Sequence, residues 1–281
     1  MPTLPPGEPV LPRSDDPLRA RRVAESFGAD AERYDRARPH YPGALVEAVL
    51  AAAPGRSVLD VGTGTGIVAR LFRAAGCTVL GVDPDARMAD RARRDGHEVE
   101  IAPFEAWDPK GRSVDAVVSG QAWHWVDPVA GAAKAAQPLR PGGRLAVFWN
   151  DGRPPRDLAG AFAEVYGRLA PDAPAARFWR AVAGKGHPGY AELLARAADG
   201  MRAAGTFGEP EVWRFAWERP YTREEWLDQL PTTGGHADLP PAVLDRLSTE
   251  IGAAVDAVGG TFTMRYTTVV ATAAREGTDR A

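Results

Sequence analysis

Val58-Leu59-Asp60-Val61-Gly62-Thr63-Gly64-Thr65-Gly66 decides how this chain folds. A short apolar run ends in three glycines spaced two apart, and a helical pattern follows from Thr65 to Ala75. Glycines let the backbone turn sharply and approach a ligand closely. The helix beyond them presents unpaired N–H groups at its start. The same residues would serve a tight strand-to-helix turn without a ligand. They would also serve a dinucleotide, because Gly64, Gly66 and Ala69 fit G-x-G-x-x-G/A.

Outward from this turn, strand and helix alternate. Ser57 to Val61, Cys77 to Asp83, Glu98 to Ala102, Val114 to Ser119 and Arg144 to Asn150 read as strands. Thr65 to Ala75, Asp85 to Asp95 and Pro128 to Leu139 read as helices between them. Such alternation predicts an α/β fold, a Rossmann-like doubly wound, mostly parallel sheet with helices on both faces. Upstream, residues 1–16 hold five prolines and are expected to be a loose arm. Asp15-Asp16-Pro17 starts a helix expected to reach Phe27, and Pro42 opens another that Pro54-Gly55 ends. Downstream, residues 153–207 predict two or three helices broken at Pro171, Pro174 and Pro188. A strand at 211–217 follows, then helix over 222–257 broken by Pro231 and Pro240-Pro241, then a last strand at 261–272.

The expected organisation is therefore an arm (1–16), a core with N-terminal helices (17–152) and a helical cap insertion after the fifth strand (153–207). The last strands (208–275) carry a second helical insertion after the sixth strand, at about 222–257, and 276–281 is a tail. The sheet would have seven strands.

Composition sets the bounds. The 281 residues can bury a full core without disulfide or metal staples. A hydrophobic share of 44% and a charged share of 25% are those of a globular protein. Net charge is −3, from 34 basic and 37 acidic residues, and only Lys110, Lys134 and Lys185 among the basic ones are lysine. That balance argues against nucleic-acid and membrane partners, which need a clustered basic surface. The single Cys77 excludes an internal disulfide and a cysteine-based metal site. The longest charge-free stretch, Ala116 to Val126, is too short for a bilayer. No basic-then-apolar leader opens the chain, so a cytoplasmic location is expected.

Three features bear on the ligand of the glycine turn. Asp60 lies two residues before Gly62, where a carboxylate would repel a pyrophosphate and suit an ammonium group. Asp83 ends the second strand, where a carboxylate can accept ribose hydroxyls. Leu139-Arg140-Pro141-Gly142-Gly143-Arg144 leads into the fifth strand. On these residues the chain resembles the class I S-adenosylmethionine-dependent methyltransferases. VLDVGTGTG (58–66) is similar to their first motif, and GVDPDARM (81–88) to their second-strand acid. VDAVVSGQAWHW (114–125) is similar to their fourth strand, and LRPGGRLAVF (139–148) to their fifth. The resemblance is close over residues 30–150 and looser to the end. YDRARPHYP (34–42) and Gln121 with His124-Trp125 resemble the small-molecule branch around the trans-aconitate-type enzymes.

The resemblance implies S-adenosylmethionine as cofactor. It places Gly62, Thr63, Gly64 and Gly66 along the methionine and ribose, Asp60 on the ammonium, and Asp83 on the ribose hydroxyls. Pro84 and Met88 would lie against the adenine. Where family members usually carry Asp-Ala-Glu after the third strand, this chain has Pro103-Phe104-Glu105. The acid is missing, so adenine would rest on backbone groups and Phe104, with Glu105 alongside. Tyr34 and Arg38 would fold over the methionine end, Arg38 against its carboxylate, with Gln121 nearby.

Ligands of open α/β sheets bind at the carboxyl ends of the strands, so the segment after the fourth strand is expected to face the reacting methyl. His124 could be a general base, could orient the acceptor, or could cap the following helix. His187 and His236 are rival candidates, and Trp123, Trp125, Trp149 and Trp179 could meet around a flat or apolar acceptor. No metal cluster is evident. The expected partner is a small-molecule acceptor. A non-methylating reaction on the same cofactor, a macromolecular methyltransferase and an NAD-dependent oxidoreductase are the other readings weighed. The first is inseparable by sequence. The acidic balance counts against the second, and Asp60 against the third.

Overall fold

The computed structural model describes residues 26–184, 190–234, 236 and 239–277. The arm at 1–16, most of the helix expected at 17–27, and His187 lie outside the described residues. The strands are β1 (Ser57–Val61), β2 (Thr78–Asp83), β3 (Glu98–Ile101), β4 (Val114–Gly120), β5 (Leu139–Arg153), β6 (Glu211–Thr222) and β7 (Thr261–Ala274). They form one seven-stranded sheet in the order β3-β2-β1-β4-β5-β7-β6. β1 pairs in parallel with β2 and β4, β2 with β3, and β4 with β5. The neighbours of β1 change direction of travel at β1/β4, so the carboxyl ends of these two strands flank the crevice of a doubly wound sheet. The sheet is the fold the alternation predicts.

The helices are α1 (Ala31–Ala37), α2 (Gly43–Ala51), α3 (Ile67–Ala74), α4 (Ala86–Arg94) and α5 (Pro128–Ala136). They continue with α6 (Arg156–Leu169), α7 (Pro174–Ala183), α8 (Ala191–Ala204), α9 (Arg223–Gln229) and α10 (Pro241–Asp256). Local chemistry sets several starts. Asp30 caps α1 through Arg33 N–H, and Asp127 caps α5 through the N–H groups of Val129 and Ala130, with Pro128 in the first turn. Thr222 and Glu225 form a reciprocal capping box at α9.

The differences from expectation concern strand length and one helix. β5 runs from Leu139, not Arg144, because Val114 already pairs with Leu139 before a bulge brings Ala116 opposite Arg144. β6 and β7 extend to Thr222 and Ala274. The segment around Tyr34 is a helix, which its lack of an apolar stripe did not announce.

The chain divides into two compact units. One comprises Gly28–Gly152, Gly189–Arg219 and Arg265–Ala281. Its core on one face of the sheet joins Leu45, Val49, Phe72, Val118 and Phe148. The expected 153–207 cap is split by this division: α8 belongs with the sheet strands and packs on α5. A side chain at Gly200 would sit 2.2 Å from the Pro128 carbonyl, so the bare glycine permits that close approach. The other unit comprises Met1–Phe27, Arg153–Pro188 and Pro220–Met264. Its interior is aromatic: Phe162 meets Trp179 edge-on at 5.0 Å and stacks on Trp226 at 5.7 Å, and Tyr221 stacks on Phe262. Phe162 is fully buried. Phe162→Ala is expected to lower stability by about 3–5 kcal/mol, read as an earlier midpoint in urea unfolding.

Candidate functional site

The site is built from the carboxyl ends of β1, β2 and β4, all in the first unit. The glycine turn has the conformations its sequence requires: Gly62, Gly64 and Gly66 have φ of 67°, 54° and 89°. A Cβ at Gly62 would also lie 2.3 Å from that of Ala122. Gly62 N–H bonds the Val82 carbonyl at 2.8 Å, which fixes the turn against β2.

Beneath the turn lies Asp60, which has no solvent exposure. Its Oδ2 accepts from the Thr63 hydroxyl at 2.7 Å, and its Oδ1 has no hydrogen-bond partner. Burial pushes its carboxyl up to about 7, with the nearby Asp83 carboxylate adding to the effect and the Thr63 hydroxyl and the Ala69 backbone N–H opposing it. Asp83 accepts from Gly64 N–H at 2.8 Å and from Asp85 N–H at 2.9 Å, so each of its oxygens keeps one lone pair. Burial raises it to about 6.

A cleft of about 430 Å³, counting the solvent at its mouth, opens above the turn. Tyr34, Arg38, Tyr41, Thr63 and Gln121 line it. Arg38 lies over the Tyr34 ring at 5.1 Å. Gln121 is held in the left-handed region at φ 57°, its N–H bonded to the Phe148 carbonyl. The helix that carries Tyr34 is tied down by charge. Asp35 bonds Arg70 of α3 at 2.6 Å and Arg91 of α4 at 2.9 Å, and Glu32 bonds Arg94 at 2.6 Å. The strand-like stretch after it is held by Asn150, whose amide donates to the His40 carbonyl and whose oxygen accepts from Thr268.

His124 sits in a turn after β4. Trp149 Nε1 donates to its Nδ1 at 3.2 Å. An indole N–H can only donate, so Nδ1 is the acceptor and Nε2 carries the proton of the neutral ring. Burial lowers its pKa to about 4, aided by the positive charges of Arg196 and Arg38. The ring thus presents a donor and has no free basic nitrogen, which removes the basis for the general-base reading. It caps no helix either, since Asp127 caps α5.

The remaining expected residues separate. Met88 is buried, its methyl 3.5 Å from where a Gly64 Cβ would stand, and Pro84 is exposed. Phe104 is buried against Trp107 and Trp123 instead of facing an open site, because the 3-10 turn that carries it folds inward. Glu105 accepts from Asp127 N–H. Trp149 stacks on Tyr190 at 6.2 Å, and Trp125 is 38% exposed and leans on His124. Trp179 and His236 belong to the interior of the second unit. There His236 Nε2 pairs with the Tyr166 hydroxyl at 2.6 Å and Nδ1 with Thr233, so both nitrogens are engaged in packing. Among the described residues no group of His, Cys, Asp and Glu could hold a metal ion.

Sequence reasoning missed Tyr41, Tyr190, Ile101 and Arg196. Tyr41 lines the cleft, and Ile101 ends β3 opposite Asp83 with 45% exposure. Tyr190 bonds Gln121, and burial pushes its hydroxyl up to about 12. An exposed apolar residue at a strand's carboxyl end was a usable signal for Ile101. Nothing local marked Tyr190 or Arg196, which the fold brings in from far along the chain.

Residues 34–165 match the methyltransferase domain family. The chain is 41% identical over 132 residues to an uncharacterized methyltransferase of Mycobacterium tuberculosis, a match covering 46% of this chain and 54% of that protein. It is 35% identical over 143 residues to a malonyl-[acyl-carrier protein] O-methyltransferase of Enterobacter lignolyticus, again 46% and 54% of the two chains. The chain thus spans about half the length of the curated relatives it matches. A solved structure assigned as a type II methyltransferase from Anaeromyxobacter dehalogenans superposes with a TM-score of 0.60. The identity is 23%, over 84% of this chain and 97% of that one, which bears on the fold. The matched residues 34–165 include Tyr34, Arg38, Asp60, the glycine turn, Asp83, Gln121, His124 and Trp149. No described helix is long and apolar enough to cross a membrane.

Two measurements check this geometry without any ligand. An acid whose folded pKa lies above its ordinary value keeps its proton longer in the folded chain than in the unfolded one. Its burial therefore costs nothing below about pH 3 and progressively lowers stability as the pH rises towards 7, on the order of a few kcal/mol. Asp60→Asn is expected to raise the thermal midpoint at pH 8, with the gain falling away as the pH drops to about 3. Nitrogen NMR of the His124 ring is expected to show the Nε2–H tautomer, neutral from pH 8 down to pH 5.

Proposed function

We propose that the protein transfers a methyl group from S-adenosylmethionine to a small organic acceptor, as the small-molecule branch around the trans-aconitate-type enzymes does. The observation that carries this reading is the unpartnered Oδ1 of fully buried Asp60 beneath the glycine turn. A buried carboxylate oxygen without a donor is costly, and a cationic donor offsets that cost. The methionyl ammonium supplies such a donor. A pyrophosphate would add negative charge next to Asp60 and Asp83, which disfavours a nicotinamide dinucleotide.

The residues present fit the cofactor. Asp60 would take the ammonium and Arg38 the carboxylate. The spare lone pairs of Asp83 would take the ribose hydroxyls, and Met88 and Ile101 the faces of the adenine. Gly62 to Gly66, Tyr34, Tyr41 and Gln121 would enclose the chain between them. When bound, the cofactor supplies a sulfonium methyl open to in-line displacement. This chain contributes alignment and exclusion of water, and alignment alone is worth about 7–11 kcal/mol in favourable cases. His124 would donate its Nε2–H to the acceptor and so orient it. No base is drawn from it, so an acceptor that must lose a proton would release it to solvent.

Calorimetry tests the cofactor. S-adenosylmethionine and its demethylated product are expected to bind and NAD is not. Asp60→Asn and Asp83→Ala should each weaken binding by about 1–3 kcal/mol. Tighter binding of NAD would refute the reading. With any acceptor that gains 14 Da in a mass spectrum, His124→Ala is expected to raise KM about three- to tenfold, the worth of one neutral hydrogen bond. Turnover should show no limb at a histidine pKa.

A further inference from the structure

The link between α1 and α2 is Arg38-Pro39-His40-Tyr41-Pro42. Its two prolines stiffen it, because a residue before proline is driven to extended backbone, as Arg38 is at ψ 146°. Arg38 and Tyr41 line the cleft, and His40 between them is exposed. Tyr41 is anchored by its own ring, which meets Phe148 edge-on at 4.8 Å, while its hydroxyl fills the space a side chain at Gly120 would need. The Arg38 end depends, besides helix α1, on the hold on His40. The His40 carbonyl accepts from Asn150 Nδ2 at 3.0 Å, and the His40 ring stacks on Trp217 at 4.7 Å.

Asn150 is itself oriented by a relay across three neighbouring strands. Trp217 of β6 donates its indole N–H to the Thr268 hydroxyl of β7 at 2.9 Å, and that hydroxyl donates to Asn150 Oδ1 of β5 at 2.6 Å. Every polarity in the relay is forced. An indole N–H only donates, so the Thr268 oxygen accepts there and directs its one proton to Asn150. The amide then turns its NH2 to a carbonyl, which only accepts. Thr268 has no solvent exposure and Asn150 is 5% exposed, so water does not replace these bonds. The three strands are already neighbours in the sheet, and the relay is not needed to join them. Both of its ends reach outside the sheet to one residue, His40.

We infer that Asn150 is a positioning residue for the amino-acid end of the cofactor: through the His40 carbonyl it sets where Arg38 stands in the cleft. Asn150 does not line the cleft, so its effect reaches a ligand through the link alone. The role rests on the proposed cofactor in one respect, that Arg38 takes the methionyl carboxylate. A guanidinium holds a carboxylate at N···O distances of about 2.7–2.9 Å, so a displaced Arg38 loses that bond.

Two probes separate positioning from packing. S-adenosylhomocysteine, the demethylated product, carries the amino-acid end; methylthioadenosine keeps the nucleoside and the thioether without it. In calorimetry Asn150→Ala is expected to weaken S-adenosylhomocysteine about three- to tenfold, the worth of one hydrogen bond, and to leave methylthioadenosine within about twofold. Arg38→Ala should show the same selective loss, and a larger one. Adding Asn150→Ala to Arg38→Ala should weaken binding no further, because the first acts through the second. Thr268→Val tests the same route with Asn150 in place: removing the hydroxyl that orients the amide should repeat the selective loss, and Thr268→Ser should recover most of the affinity. Equal weakening of both probes, no weakening of either, or additive losses in the double variant would overturn the assignment. A wild-type protein that binds neither probe would refute the cofactor reading and this role with it. Selective loss in Arg38→Ala without any in Asn150→Ala and Thr268→Val would leave the cofactor reading standing and remove this role alone.

Discussion

A carboxylate with no access to water governs the first unit. Asp60 is placed by the strand register, one residue from the end of β1 and paired across to Gly81 of β2. Moving it outward would need a register slip that turns every β1 side chain to the other face. Around it the chain arranges what it can. Thr63 gives one hydroxyl and the Ala69 N–H lies close, while the N–H of Gly64 goes to Asp83 and those of Gly62 and Thr63 go to the Val82 carbonyl. The glycine turn is therefore shaped by two acids as well as by its own torsions. Part of its polar capacity is left for something from outside.

The same economy appears at the far end of the sheet crevice. Trp149 is a buried core ring, yet its N–H fixes the tautomer of His124 and its face stacks on Tyr190. One indole thereby decides that a histidine beside the crevice is a donor. Tyr190 in turn reaches Gln121, whose backbone is held in a left-handed conformation that few non-glycine residues adopt. The strain at Gln121 sits where the chain leaves β4 and turns towards the cleft.

The sheet was legible because its evidence is local and redundant. β1, β2 and β4 are largely apolar runs, β3 is a short alternation of Glu98, Val99, Glu100 and Ile101, and the helices at Ile67–Ala74 and Ala86–Arg94 are closed by Gly76 and Gly96. The glycine turn with Asp60 and Asp83 was legible for the same reason. What failed depends on contacts between distant residues. The base role of His124 looked open because the Trp149 hydrogen bond spans 25 residues and leaves no local trace. Trp179 and His236 looked like acceptor residues because composition cannot say which unit a tryptophan or histidine enters. Phe104 looked available to the adenine, but the turn it begins is pinned by Trp107 and Trp123. Arg196 was one exposed arginine among 34 basic residues until α8 was seen to pack on α5.

Helix α1 is seven residues long, too short to persist alone in water. Its helicity is held by partners outside it: the cap at Asp30 and the ion pairs of Glu32 and Asp35 with arginines on α3 and α4. Loosening those pairs would not swing a rigid flap aside; it would melt the segment. Such melting would withdraw Tyr34 and, at the C-cap, Arg38 from the cleft, and refolding would return them. Ligand capture would then carry the calorimetric signature of coupled folding, with a heat-capacity decrement and an entropic cost larger than the ligand's own contact area accounts for.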